Sequence, residues 1–254
     1  MPYRFAKESQ DYTDYASGRV FYGLPGHPAF PVRLVSEIFQ RCLAIRKAWG
    51  VSAPCVLYDP CCGGAYHLSV LAYLFWQRIN SIIGSDVDER ALALAARNLA
   101  LLTPEGIEGR IRELSDMAGA YGKTSHQAAI KSAKTLQNRL LTVIGIHQIK
   151  TRLFRANATD EKQLLEHLKD RAIDVIITDI PYGSQANWQG IETSNLALLS
   201  PICQMLEALL SVVSANTILA ITSDKGQKIV HEQYQRIERF RLGKRQIVLL
   251  KPLR

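Results

Sequence analysis

Three aspartates in this 254-residue chain each close an apolar run, and their neighbours are residue types that bind small polar ligands. Asp59 ends Cys55-Val56-Leu57-Tyr58, whose β-branched and aromatic content predicts a buried strand. Gly63 and Gly64 follow, where a backbone can turn tightly and lie against a ligand. An acid beside such a turn suits a cationic or hydroxyl-rich ligand better than a pyrophosphate, and the turn does not read G-x-G-x-x-G. Asp86 ends Ser81-Ile82-Ile83-Gly84-Ser85. In nucleotide-binding α/β units, an acid about 20 residues past the glycines bonds the ribose hydroxyls. The plain alternatives are a turn for Asp59 and a helix cap for Asp86 or Asp88. The ordered pair with two glycines between them favours the ligand.

The third acid opens Asp179-Ile180-Pro181-Tyr182. Its carboxylate and the carbonyl of residue 180 are acceptors, Pro181 stiffens the chain, and Tyr182 offers a flat face. That set matches a planar group bearing an NH₂, its two N–H donors on the acceptors and its ring stacked on tyrosine. Holding the nitrogen so aims its lone pair at an electrophile, which is catalysis by orientation and electrostatics. Alone, D-x-P-Y reads as an ordinary turn. Its place after a fourth strand makes the chemical reading the stronger.

The elements that position these acids follow from hydrophobic periodicity. Residues 1–28 read as a loop-rich arm broken by Gly18, Gly23, Pro25, Gly26 and Pro28, with a short hairpin around Val20-Phe21-Tyr22. From Pro31, Leu34, Val35, Ile38, Phe39, Cys42 and Leu43 recur at helical spacing. Glu37 and Arg41 on the other face read as a solvated i,i+4 pair, and Arg33 as a candidate for a ligand carboxylate. Tyr66 to Ile79 is too long for a strand and predicts a helix, and another begins near Asp88 and stops at Thr103-Pro104. Residues 105–148 contain no strand signal and far exceed the ~2–6 residues of a normal αβ connection. They predict a helical insertion, either a carrier of substrate specificity or a solvated hairpin. Further strands are expected at Thr151–Ala156 (leading to Asn157), Ile173–Thr178 and Asn216–Thr222, with helices at Asp160–Asp170 and Leu196–Val213. Tyr234–Leu242 and Arg245–Leu250 predict an antiparallel pair closing the sheet. The pattern is α/β, one domain over residues 1–254, with residues 1–50 as N-terminal arm and helix.

Composition narrows the partners. Hydrophobic residues make up 47%, charged residues 21%, and the formal net charge is +8 with a pI near 9.3, a balance that favours polyanions. Toward the C-terminus Lys225, Lys228, Arg236, Arg239, Arg241, Lys244, Arg245, Lys251 and Arg254 stand against only Glu232 and Glu238. No apolar run reaches the ~20 residues of a membrane span, and the N-terminus carries no signal-peptide pattern. Cys42, Cys55, Cys61, Cys62 and Cys203 form no C-x-x-C and no His cluster accompanies them, so neither a metal site nor a disulfide framework is expected. Free thiols imply a reducing compartment, the cytoplasm.

Asp59-Pro60-Cys61-Cys62-Gly63-Gly64 resembles the first motif of class I S-adenosylmethionine-dependent methyltransferases, and Asp179-Ile180-Pro181-Tyr182-Gly183 resembles the D-P-P-Y-G motif of those acting on bases. Pro28 to Leu34, Ser36 to Arg41, Ser85-Asp86-Val87-Asp88 and the D-I-P-Y-G stretch are similar to the avilamycin-resistance methyltransferases, which modify a guanine of large-subunit ribosomal RNA. The resemblance implies a Rossmann-like, mostly parallel seven-stranded sheet with an antiparallel last strand. It implies S-adenosyl-L-methionine as cofactor and ribosomal RNA as partner of a monomeric, cytoplasmic enzyme linked to antibiotic resistance. Asp59 and the Gly63 and Gly64 backbone would hold the methionine part, with Cys61 in the same turn and Arg33 nearby. Asp86 would bind the ribose, Asn157 the adenine edge, and Asp179, Pro181 and Tyr182 the target base. Ala65 stands where the family carries a third glycine, so the loop is expected to avoid positive φ there. Asn157 replaces an aspartate, its carbonyl still able to accept from an adenine amine. Ile180 replaces the first proline, which is expected to loosen the loop and leaves methylation at a guanine ring nitrogen open. The competing readings are an adenine-N6 DNA methyltransferase and an inactive methyltransferase-fold RNA-binding protein.

Overall fold

A computed structural model describes residues 3–8, 10–23, 29–180 and 200–253. Seven strands form one sheet in the order β3-β2-β1-β4-β5-β7-β6. They are β1 (Cys55–Asp59), β2 (Ile79–Asp86), β3 (Lys150–Arg155), β4 (Val175–Asp179), β5 (Ile218–Asp224), β6 (Tyr234–Leu242) and β7 (Arg245–Pro252). β1 to β5 run parallel, and β7 is inserted antiparallel between β5 and β6. The central strands are apolar throughout because helices cover both faces. Leu57, Ile82, Val175, Ile177, Ala220 and Leu249 point to one face. There lie α1 (Val32–Ala48), α2 (Tyr66–Phe75), α3 (Glu89–Ala100) and the hairpin of α4 (Pro104–Tyr121) and α5 (Thr124–Val143). Tyr58, Ile83, Ile176, Leu219 and Leu250 point to the other, under α6 (Glu161–Leu168) and α7 (Pro201–Leu210).

Local chemistry sets the helix starts. Asp88 caps α3 by accepting from the Arg90 N–H, and Thr103 caps α4 by accepting from Gly106, with Pro104 in the first turn. The last helix, expected from Leu196, begins at Pro201 instead, because Ser200 is extended and caps it by accepting from the Cys203 N–H. The antiparallel pair extends past Leu250 to Pro252.

The expected hairpin at Val20–Tyr22 is not a strand pair. Val20 and Phe21 are fully buried instead, Phe21 edge-on to Tyr66 and Tyr73, so burial rather than pairing fixes this stretch. The α4–α5 hairpin lies over it. Arg110 donates to the Val20 carbonyl at 2.9 Å, Arg97 and Arg110 stack on the Tyr22 ring, and Arg139 bonds the Tyr15 hydroxyl. The insertion is therefore a packed element, and these arginines hold the arm.

The Glu37–Arg41 pair is the second correction. Glu37 is 0% exposed and Arg41 5%. The Glu37 carboxylate accepts from the backbone N–H groups of Arg4, Phe5 and Ala6 at 2.6–2.8 Å and from Arg41 Nε at 2.8 Å. Arg41 also pairs with Glu238 of β6 and lies over the Phe240 ring. What local spacing presents as a surface ladder is the clasp between the N-terminal arm, α1 and the edge strand.

Candidate active site

The carboxyl ends of β1, β2 and β4 lie side by side at the point where the strand order reverses, where ligands bind in such sheets. Asp59 closes β1 and is fully buried. Its Oδ1 accepts from the Cys61 N–H at 3.0 Å. The turn beyond is stitched to β2 by Cys62 N–H to the Ser85 carbonyl at 2.9 Å and Gly63 N–H to Asp86 Oδ2 at 2.8 Å. Gly63 takes φ +51°, the left-handed region that glycine enters without strain, and Gly64 lies close under α3, where a Cβ would come within 2.9 Å of Leu94 Cδ2 and oblige that side chain to move.

Ala65 overturns an expectation: its φ is +51°, squarely left-handed. The reason is the start of α2. The Ala65 N–H donates to the Cys62 carbonyl at 2.8 Å, while its own carbonyl takes the N–H and Oγ of Ser69, both at 3.0 Å. These bonds hold the residue in a conformation costing an L-residue roughly 1–2 kcal/mol.

Asp86 is held at both oxygens, Oδ1 by the Asp88 N–H at 3.0 Å and Oδ2 by Gly63. Burial raises its pKa, and the nearby Asp59 charge adds to this against the two amides. The Ala156 N–H donates to the Asp86 carbonyl at 3.2 Å, which places Asn157 beside the β2 end. The Asn157 side-chain oxygen, expected to meet an adenine amine, already accepts from the N–H and hydroxyl of Thr159 at 3.1 and 2.9 Å. Both lone pairs of that carbonyl are thereby engaged. Burial pushes the Cys61 thiol well above its ordinary pKa, with the Asp59 and Asp86 charges adding to it. It contributes its backbone N–H to the site, not a nucleophile.

Asp179 closes β4, two residues further out than Asp59 when the Leu57↔Val175 register is continued. Its neighbour Ile180 is 1% exposed, and the Ile180 N–H donates to the Thr222 carbonyl at 3.1 Å, a bond proline could not make. Isoleucine thus pins the start of this loop where loosening was expected. Pro181 and Tyr182 lie outside the described residues. Arg33 is not brought to the site: its guanidinium donates to the Ala6 and Lys7 carbonyls at 3.0 and 2.8 Å and sits over the Tyr3 ring.

Two residues join the site without having been singled out. His67, in the first turn of α2, places Nε2 3.1 Å from Asp59 Oδ2, angled away from a straight hydrogen bond. Asn98, fully buried, bonds both backbone groups of Tyr22 and the Gly64 carbonyl, locking arm and turn together. Its signal was periodic: with Ala91, Ala95 and Leu99 it lies on the buried stripe of α3.

A sheet of this order and direction, with acids at three adjacent strand ends around a glycine turn, is the class I methyltransferase architecture. The family model described as rRNA methyltransferase AviRa matches residues 1–245, and the chain belongs to that family. A curated 23S rRNA (guanine(2535)-N(1))-methyltransferase of Streptomyces viridochromogenes is 39% identical over 249 residues, covering 98% of this chain and 95% of its own. A solved structure of the rRNA methyltransferase AviRa from the same organism superposes with a TM-score of 0.85 at 37% identity, over 99% of this chain and 96% of that one. TrmN from Thermus thermophilus shares the fold, with a TM-score of 0.50 at 14% identity over 89% of this chain and 50% of its own.

Proposed function

We propose that this protein transfers the methyl group of S-adenosylmethionine to a guanine of large-subunit ribosomal RNA, at ring nitrogen N1, and does so as a cytoplasmic monomer. The observation that carries the reading is the set of three acids at adjacent strand ends in a chain 39% identical to a guanine-N1 enzyme over nearly its whole length. No helix among the described residues is long and apolar enough to cross a membrane.

The donor set fits the cofactor. Asp59 Oδ2 is buried without a hydrogen bond among the described residues, an acceptor suited to the α-ammonium of the methionine part. The Gly63–Gly64 backbone allows close approach, and Asp86 is held to accept from ribose hydroxyls. When bound, S-adenosylmethionine supplies an electrophilic methyl group. A guanine presents N1–H beside its 2-amino group, two donors on one edge for the Asp179 carboxylate. Asp179 then accepts the N1 proton that methylation displaces, and Tyr182 stacks on the base. The test of this class is transfer of labelled methyl to ribosomal RNA, transfer RNA and DNA in parallel. Label entering DNA but not ribosomal RNA would overturn it.

The RNA backbone has a route to the site. Lys225 and Lys228, just past the carboxyl end of β5, line a cavity of about 190 Å³ with Arg236 and Arg239 of β6. Phosphate contacts position a nucleic acid without reading its sequence. Replacing Lys225, Lys228 and Arg236 by glutamine is expected to weaken RNA binding and flatten its salt dependence. Each lost contact should remove about 0.7 from the slope of log K against log salt, with cofactor affinity unchanged. An unaltered slope would put the phosphate path elsewhere.

A further inference from the structure

His67 lies beside the Asp59 end of β1, and nothing in the transfer reaction described above uses it. It is buried, 7% exposed, in an otherwise apolar helix. Every element packed against it contributes a facing group. β1 brings the Asp59 carboxylate, β4 brings the Asp179 carboxylate and the Ile177 carbonyl, and the segment before α1 brings the Phe30 ring at 5.7 Å. Behind that ring stands the Arg245 guanidinium of β7, 5.8 Å from its centre.

Asp59 has one oxygen committed to the Cys61 N–H and the other within ion-pair reach of His67 Nε2. A cofactor ammonium seeking that carboxylate therefore meets a place already taken by the His67 imidazole. Like charges crowded within ~4–6 Å disfavour one another's charged forms. We propose that His67 is a positioning residue that shares Asp59 with the cofactor: as imidazolium it holds the carboxylate in the empty site, and the arriving ammonium displaces it, with loss of one proton from His67 to solvent. The net charge at Asp59 is the same before and after, one cation having replaced another. This rests on the reading of Asp59 as the acceptor for the methionine ammonium.

The energetics of His67 agree. Burial is the strongest influence on its ring and lowers the pKa, but the Asp59 contact and the Asp59 and Asp179 charges outweigh it and leave the pKa raised above 6.5. Without its Asp59 contact the ring loses the largest influence that opposes burial, and its charged form is disfavoured. The sign for folding is opposite to that for binding. In the cofactor-free protein the pair's contribution to stability is complete below the unfolded value of 6.5 and is lost as pH rises through the raised folded value. Cofactor affinity instead improves over that window.

The experiment is calorimetric titration of S-adenosylmethionine into the full chain, in phosphate and in imidazole buffer, between pH 6 and 7, below the titration of the cofactor's own α-amino group at about 7.7–8.0. The wild type should release a proton, its affinity rising with pH by up to about tenfold per pH unit across this window. His67→Asn should bind with no proton release and a flat pH profile. Methylthioadenosine, which has no ammonium, should bind the wild type without proton release. Should His67→Asn fail to fold, the wild-type pair of ligands decides alone. Proton-neutral, pH-flat binding of S-adenosylmethionine to the wild type overturns the proposal while leaving the cofactor site intact. Proton release that persists in His67→Asn, or that methylthioadenosine also causes, overturns it too. Failure of the wild type to bind S-adenosylmethionine at any pH would instead overturn the cofactor-site reading on which it rests.

Discussion

Replacing Asp179 by alanine is expected to lower kcat/KM for RNA methylation by roughly 10²-fold or more, the scale of losing one preorganised polar contact at a reacting group, while S-adenosylmethionine still binds. The expectation comes from how the residue is held. β4 is buried along its length, Ile180 anchors the next position in the core, and its N–H is bonded to Thr222. The carboxylate therefore does not have to be organised at the moment of transfer. The Asp59–Gly64 turn is shaped by bonds from Asp59, Ser85 and Asp86, so the cofactor should bind the variant. Asp179→Asn keeps one acceptor oxygen but takes up no proton, and should fall nearer to alanine than to wild type. Single-turnover rates with saturating cofactor read this directly. An alanine variant within a few-fold of wild type would remove Asp179 from the chemistry.

A second large effect is expected far from the chemistry. Glu37→Ala should destabilise the fold by about 3–5 kcal/mol, the range for removing one member of a buried ion pair. Three backbone amides and the Arg41 guanidinium would lose their acceptor together. By contrast Glu89, which pairs with Arg155 on the surface, should cost under about 1 kcal/mol when replaced by glutamine. Burial pushes the Glu37 carboxyl up, but the Ala6, Arg4 and Phe5 amides and Arg41 outweigh it and hold its pKa below 4.5. Its contribution is therefore complete above that value and is lost as pH falls through the lower folded pKa. Urea denaturation of both variants at neutral pH makes the comparison. A Glu37→Ala midpoint as close to wild type as that of Glu89→Gln would show that the clasp contributes little.

Legibility in the sequence tracks the range of the interactions. Strand ends, the Gly63–Gly64 turn and the closing pair Tyr234–Leu242 and Arg245–Pro252 are written in local periodicity and turn chemistry, and the structure places them within a few residues of expectation. Glu37 is the opposite case. Its partners lie 31 to 33 residues away, and an i,i+4 Arg is all that a window along α1 can display. Arg33 misled for the same reason, since the carbonyls it serves come from the arm. At Ala65 the side chain argues against positive φ, but hydrogen bonds to Cys62 and Ser69 decide it. Ile180 looks like a weakened proline until the Thr222 carbonyl and a buried side-chain site are seen. His67 carries only a faint local signal, a lone imidazole at the head of an apolar helix, and its meaning depends on β1 and β4 meeting beneath it.

The proposed activity of this site is methyl transfer to N1 of a guanine in 23S ribosomal RNA. The most direct measurement is transfer of labelled methyl from S-adenosylmethionine to ribosomal RNA lacking the modification, followed by mass-spectrometric mapping of the modified nucleotide and atom. Label is expected on a single guanine, as 1-methylguanine, and is expected to be lost in Asp179→Ala. Label recovered as N6-methyladenine or as a methylated exocyclic amine of guanine would contradict it, as would cofactor binding with no transfer to any RNA.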